Sequence, residues 1–423
     1  MLGIYVTKLL VAKMLVIFVI NLLVTILFVI FVANLLYIYF YMKDIPFIFG
    51  KMAQNVEFTD REAEVEKLKN NFLSLTNTTI LSPRRWGKTS LVNKVGELLM
   101  SENKNIKVAF VDVFNVRSEK DFYYALVKSV FEATASKWEE MVENAKQFLS
   151  HFVPKISFTA DSYEISFGLE WEEMQRSVDD MLNLAERIAK NKKIRIIVCI
   201  DEFQSISEFD EPLAFQRKLR SNWQKHSNTA YCIYGSKRHM LLDIFTNPSM
   251  PFYKFGDLIF LKKIDNAVWQ DFILKRFEET QKKISRKNAK LIADLVENHP
   301  YYVQQLAQQS WLLCGKECTE KDVINARQNI IDHLSLLFIN IYESLSTLQH
   351  QFLKALLAGE KQLSSQKTLK KYNLGTSSVI PRLRKSLLER EIIDMTSKNE
   401  IELQDPMLKT WLKQIYFGRN EYF

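Results

Sequence analysis

The sequence predicts an α/β fold: a parallel sheet with helices on both faces, then an α-helical unit, then a C-terminal winged helix. Three observations carry this. Short apolar runs alternate with helical periodicity from residue 78 to residue 261. One of those runs leads straight into a glycine–lysine loop that opens a helix. The C-terminal part reads as helices followed by a two-stranded ribbon.

At 423 residues the chain exceeds the roughly 250–300 at which a single core stops growing. The pattern divides it into a hydrophobic segment (1–45), an α/β unit (46–264), a helical unit (265–342) and the winged helix (343–423). Charge and apolar content are those of ordinary globular proteins. A net charge of +8 with a pI of about 9.0 permits a nucleic-acid or anionic-membrane partner and requires neither. The four cysteines (Cys199, Cys232, Cys314, Cys318) have no His or second Cys pair at zinc spacing, and fit a reducing compartment.

From Met14 to Met42 there is no charged residue. A helix over 14–41 is long enough to cross a bilayer, which takes about 20 apolar residues. Tyr37, Tyr39 and Tyr41 suit an interfacial belt, and lysines flank both sides. On this reading the segment anchors a cytoplasmic protein to the membrane. A second reading stays open, because the globular pattern starts only at Ile45-Pro46-Phe47: translation would begin at Met42 or Met52. A single span cannot form a transport pathway, so a transporter is excluded.

Strands are expected at Thr78–Leu81, Ile106–Val113, Ile194–Ile200, Ala230–Tyr234 and Leu258–Leu261. Helices are expected at Lys88–Met100, Ser118–Glu139, Trp171–Lys190 and Glu211–His226. Lys155–Phe167 alternates about a polar turn and reads as an inserted hairpin. Asp265–Gln281 and Ser285–Trp311 read as helices, with no further strong strand until about residue 390. Glu391–Met395 and Ile401–Gln404 form the ribbon.

Ser82-Pro83-Arg84-Arg85-Trp86-Gly87-Lys88-Thr89 lies between the first strand and a helix opening at Ser90. Backbone N–H groups of such a loop wrap phosphates, and the helix N-terminus adds a favourable dipole. Gly87 allows close backbone approach. Lys88 reaches the β- and γ-phosphates of a nucleotide, and the Thr89 hydroxyl ligates Mg²⁺. This is the P-loop NTPase pattern, with Ser82 where the first glycine usually stands.

Arg195–Ile200 ends in Asp201-Glu202. Ligands bind at the carboxyl ends of parallel strands, so Asp201 is expected to hold magnesium and Glu202 to act as general base on water. Gln204 is a weaker candidate for positioning water. Tyr231–Tyr234 leads to Ser236, a candidate γ-phosphate sensor, and to Lys237 and Arg238, candidates for stabilising transition-state charge. A solvated basic turn is the alternative for these three.

Together with Phe58-Thr59-Asp60-Arg61-Glu62, Gly235-Ser236-Lys237-Arg238, Pro251–Asp257, His299-Pro300-Tyr301-Tyr302 and Asp405–Leu408, these motifs resemble the archaeal and bacterial AAA-type ATPases related to the STAND signalling NTPases. The resemblance covers about residues 46–412. It implies ATP as the nucleotide, a helical lid and a winged helix. It also implies Phe58 and Arg61 near the adenine and Pro300 in the lid. The family's usual glycine two residues before that proline is Asn298 here.

Between Lys361 and Met395 lie eight basic residues, opposed by Glu389, Glu391 and Asp394. Ser377–Arg390, capped by Thr376, is the recognition-like helix, and its Arg382, Arg384 and Lys385 would face outward toward DNA phosphates. The alternatives are a solvated face, or a winged helix packed on the core as an internal switch. Three functions stay in play: a slow ATP-dependent switch, a DNA-binding ATPase, and a membrane-tethered scaffold that binds nucleotide without turnover. Client and oligomeric state are unspecified.

Overall fold

The computed structural model describes residues 22–33, 45–52, 58–135, 140, 147–148, 154–159, 162–167, 178–395 and 400–418. The alternation seen in the sequence becomes a five-stranded, wholly parallel sheet in the order β2-β5-β6-β1-β7. Its strands are β1 (Thr78–Leu81), β2 (Ile106–Asp112), β5 (Arg195–Asp201), β6 (Thr229–Tyr234) and β7 (Asp257–Phe260). Between β2 and β5 the expected hairpin is present as β3 (Pro154–Thr159) and β4 (Ser162–Phe167), paired antiparallel.

Side-chain alternation along β5 builds both faces. Ile197 and Cys199 meet helices α1 (Glu62–Leu73) and α2 (Lys88–Glu102) through Leu68, Leu91 and Val95. Ile196, Val198 and Ile200 face the opposite layer: α3 (Glu119–Thr134), α4 (Val178–Leu182), α5 (Leu184–Lys192), α6 (Pro212–Trp223) and α7 (Arg238–Thr246). Each of these fully buried aliphatic side chains contributes about 1.5–3 kcal/mol. Trp223 stacks on Tyr231 at 4.1 Å in that second layer.

A separate cluster joins the remaining helices: α8 (Asn266–Glu279), α9 (Arg286–Leu295), α10 (Pro300–Leu313) and α11 (Glu320–Glu343), then α12 (Thr347–Leu357), α13 (Gln366–Lys371), α14 (Val379–Glu389) and α15 (Pro406–Phe417). Phe47 belongs to it, so the first residues of the expected α/β unit (46–264) pack on the helical unit instead. The ribbon is β10 (Ile393–Met395) with β11 (Ile401–Leu403), antiparallel.

Several expectations need correction. The helix expected over Ser285–Trp311 breaks into α9 and α10. Glu297 and Asn298 are left-handed (φ 54° and 58°), His299 is extended, and Pro300 opens the new helix. Proline lacks an N–H and biases its predecessor away from helix. A short parallel pair, β8 (Lys283–Ile284) with β9 (Glu317–Cys318), was not expected. The helix over Trp171–Lys190 is interrupted at Asn183, whose Nδ2 donates to the Asp179 carbonyl at 2.6 Å; residues 171–177 lie outside the described part. Thr376 does not cap the recognition-like helix. That helix starts at Val379 after an uncapped Ser378, whose hydroxyl meets that of Thr376 at 2.8 Å.

Most of the apolar segment expected to span a membrane (14–41) lies outside the described residues; 22–33 are helical. Among the described residues no helix is long and apolar enough to cross a membrane.

Candidate active site

The sheet brings the carboxyl ends of β1, β5 and β6 to one edge. Ser82-Pro83-Arg84-Arg85-Trp86-Gly87 forms the loop from β1 into α2. Gly87 is left-handed at φ 87°, and a Cβ there would strain the backbone although it would meet nothing within 4 Å. Ser82 is buried and keeps ordinary backbone torsions, so the missing first glycine imposes no left-handed strain. Its Oγ and carbonyl accept from Lys88 Nζ at 3.3 and 3.0 Å, and the Pro83 carbonyl accepts at 2.8 Å. Burial pulls the Lys88 ammonium down to about 8, against the opposing pull of Glu202 and Asp201.

Thr89 Oγ1 donates to Asp201 Oδ2 at 2.9 Å. Burial raises the Asp201 carboxyl to about 6; the Thr89 hydrogen bond opposes this, and the charge of Glu202 adds to it. Glu202 is left-handed at φ 54°. Its Oε2 accepts from the Ser236 N–H at 3.1 Å, from Ser236 Oγ at 2.9 Å and from Gln204 Nε2. An added Cβ at Gly235 would lie 1.9 Å from Gln204 Oε1 and 3.2 Å from Glu202 Cα, so any larger residue there must push Gln204 off Glu202.

These groups line a cleft of about 490 Å³ with Phe58, Arg61, Arg84, Arg85, Trp86, Ser90 and Pro300. Arg61 is buried, left-handed at φ 74°, and ties the Trp86 carbonyl to that of Lys262 at 3.2 and 2.7 Å. Arg85 lies over the Tyr301 ring at 4.5 Å. His299, its imidazole drawn down to about 3 by burial and by the charges of Lys263 and Arg85, meets Trp86 edge-on. The left-handed torsion of Asn298 explains a glycine at that position, and asparagine is the side chain that best tolerates it.

Among the expected site residues, Ser82, Pro83 and Gln204 sit behind the lining as partners of Lys88 and Glu202, Lys237 pairs with Glu208 at 3.4 Å, and Arg238 is carried away from the cleft. Its guanidinium donates to Asp394 Oδ2 at 2.8 Å and to the Met395 carbonyl at 2.7 Å, both on the ribbon. Ser236 lines the cleft and is engaged by Glu202. Sequence reasoning did not name as site residues Ile48, Phe49, Ile264, Trp269 and Tyr301, which add an apolar lining to the cleft, or Gln304 beside them. Ile45–Phe47 marked the start of the globular pattern, and Phe47 does anchor there: its carbonyl accepts from Gln308 at 2.7 Å.

The donor set fits a nucleotide and a hard divalent cation. A buried ammonium sits among loop carbonyls, a hydroxyl–carboxylate pair offers oxygen ligands, and an apolar lining accompanies a basic loop. Among the described residues no His/Cys/Asp/Glu cluster forms a metal site of its own. Magnesium takes few protein ligands and keeps water and phosphate oxygens.

Residues 58–306 match a family described as an ATPase domain predominantly from Archaea, and residues 336–414 match a probable winged helix domain. No curated protein matches. Among solved structures the chain is similar to the Walker-type ATPase PABY2304 of Pyrococcus abyssi, at 17% identity and TM-score 0.62, over 87% of this chain and 99% of that one. It is also similar to the ORC2 protein of Aeropyrum pernix in its ADPNP–ADP complexes, at 14% identity and TM-score 0.54, over 88% and 96%. At these identities the likeness concerns the fold.

Proposed function

We propose, from the premise that the chain belongs to the family of ATPase domains found predominantly in Archaea, that it binds MgATP in this cleft, hydrolyses it slowly, and uses nucleotide state to set the position of its winged helix. The observation that carries this reading is the 2.9 Å bond between Thr89 and Asp201 beside the buried Lys88. Loop N–H groups and Lys88 would bind the β- and γ-phosphates, exchanging the Ser82 and Pro83 carbonyls for phosphate oxygens. Thr89 and Asp201 would hold magnesium, which when bound supplies charge neutralisation across the phosphates. Phe58, Pro300, Tyr301 and Ile264 would enclose the base.

Glu202 would accept a proton from water as its oxygen attacks the γ-phosphorus, and the bond to the β–γ bridging oxygen breaks to give ADP and phosphate. Ser236 and Gln204 hold that carboxylate. Its release is a step that turnover would require, which supports a slow rate. The bond from Arg238 to Asp394 supports the switch reading, because it ties the strand end bearing Ser236 to the winged-helix ribbon.

ATP titration with and without magnesium tests the reading. It expects binding that weakens when magnesium is removed and is lost in Lys88→Ala. Equal binding in Lys88→Ala would remove it.

A second reading, duplex DNA binding by the winged helix, is supported by the exposure of Arg382, Arg384 and Lys385 on α14. It expects affinity for a short duplex that falls steeply between 50 and 200 mM salt. Absence of binding at low salt would exclude it.

A further inference from the structure

We propose that the cleft between α9, α11 and α15, far in sequence from the phosphate loop, is a second anion site that takes a phosphate or pyrophosphate group on Arg327 and Lys413.

The cavity measures about 230 Å³. That is smaller than pockets built for drug-sized ligands, which start at about 300 Å³, and suits a phosphate-sized group. Arg327, Lys409 and Lys413 line it, opposite Asp294 and Glu297. Both acids are already engaged, Glu297 by the cleft's own Lys409. Asp294 pairs with Lys290 at 2.9 Å and accepts from Asn266 at 2.7 Å. Glu297 pairs with Lys409 at 2.5 Å and with Lys263 at 3.8 Å.

Arg327 is left over. Its Nη2 donates to the Thr410 hydroxyl at 2.8 Å, while its Nε is buried with no hydrogen-bond partner. Among the described residues no carboxylate forms an ion pair with it. A partly buried guanidinium whose Nε is buried without a partner, and which has no acid, is costly unless a counter-ion completes it. Burial lowers the basicity of Arg327 with nothing offsetting it. Lys413 is lowered by burial and then by the charges of Lys409 and Arg327, against Glu297. An anion in the cleft reverses both effects, and the planar guanidinium fork matches phosphate oxygens.

The site joins two parts of the chain. Arg327 stands on α11 of the helical unit, and Lys409 and Lys413 stand on α15, the last helix of the winged helix. A bound anion therefore fastens the winged helix to the helical unit. This inference does not depend on ATP hydrolysis.

Thermal melting of the full chain carrying Lys88→Ala, which disables the phosphate loop, tests it. Pyrophosphate and orthophosphate are titrated at constant ionic strength. The expected result is a saturable rise in Tm of about 2 °C or more. That rise should vanish in Lys88→Ala/Arg327→Gln, shrink in Lys88→Ala/Lys413→Gln, and return at least in part with Arg327→Lys. The Lys413 variant, at a partly exposed position, keeps the test valid if the Arg327→Gln chain melts early. No rise with either anion in Lys88→Ala, or the same rise in the Lys413→Gln variant, overturns the proposal; so does an equal rise with sodium chloride.

Discussion

Thr89 Oγ1 donates to Asp201 Oδ2 at 2.9 Å, joining the first turn of α2 to the end of β5 across the intervening strand β6. The contact needs two strand ends to finish level, which a parallel sheet in this order provides. Thr89→Ala and Asp201→Asn should each lower phosphate release by about 100-fold or more, a loss typical for a removed charge-stabilising group. Stopped-time assays at saturating magnesium check this.

The same pair gives a stability prediction of opposite sign. Asp201 has a folded pKa of about 6, above its ordinary 3.8. The folded chain therefore holds an extra proton between those values, and stability falls as pH rises through that window. Above pH 6 the buried carboxylate costs about 1–3 kcal/mol. Without magnesium or nucleotide, Asp201→Asn should melt higher than wild type at pH 7 and equal to it near pH 3.5. A lower melting temperature at pH 7 would show that the carboxylate is stabilising.

Glu202 is held by Ser236 and Gln204. Ser236→Ala removes the hydroxyl bond and keeps the backbone one. If Ser236 restrains the base, basal turnover should rise a few-fold; if it serves the γ-phosphate instead, turnover should fall about tenfold. Gly235→Ala drives a Cβ into Gln204, and should lower turnover with about 1–3 kcal/mol of lost stability. Steady-state rates and urea melts separate the two effects.

Arg238 and Asp394 form a mostly buried pair, 16% and 9% exposed, between α7 and the ribbon. A double-mutant cycle on Arg238→Ala and Asp394→Ala should give a coupling of about 1–3 kcal/mol. Either single variant should also speed proteolysis of the winged helix. Additive losses would mean that the contact couples nothing.

All five sheet strands were legible within a residue or so: the inner strands β1, β5 and β6 are nearly continuous buried runs, and the edge strands β2 and β7 are apolar runs even where part of each is exposed. The loop, Asp201 and Glu202 were legible because each sits at a strand end, where local order fixes its position. Arg238 was not. Two residues after Ser236, it reads as part of the same site, and only the tertiary placement of Asp394, 156 positions on, draws it to the ribbon instead. The apolar lining of the cleft was illegible for the same reason: Ile48, Trp269 and Tyr301 come from three distant segments. The break before Pro300 was readable and was missed, because apolar periodicity runs across it.

The most direct test of the ATPase reading is phosphate release alongside ATP binding for wild type and Glu202→Gln. Wild type should bind and turn over, and Glu202→Gln should bind at least as tightly with turnover reduced about 100-fold or more. Equal turnover in the two proteins would contradict the assignment of Glu202 as the base. Failure of wild-type protein to bind ATP would contradict the account as a whole.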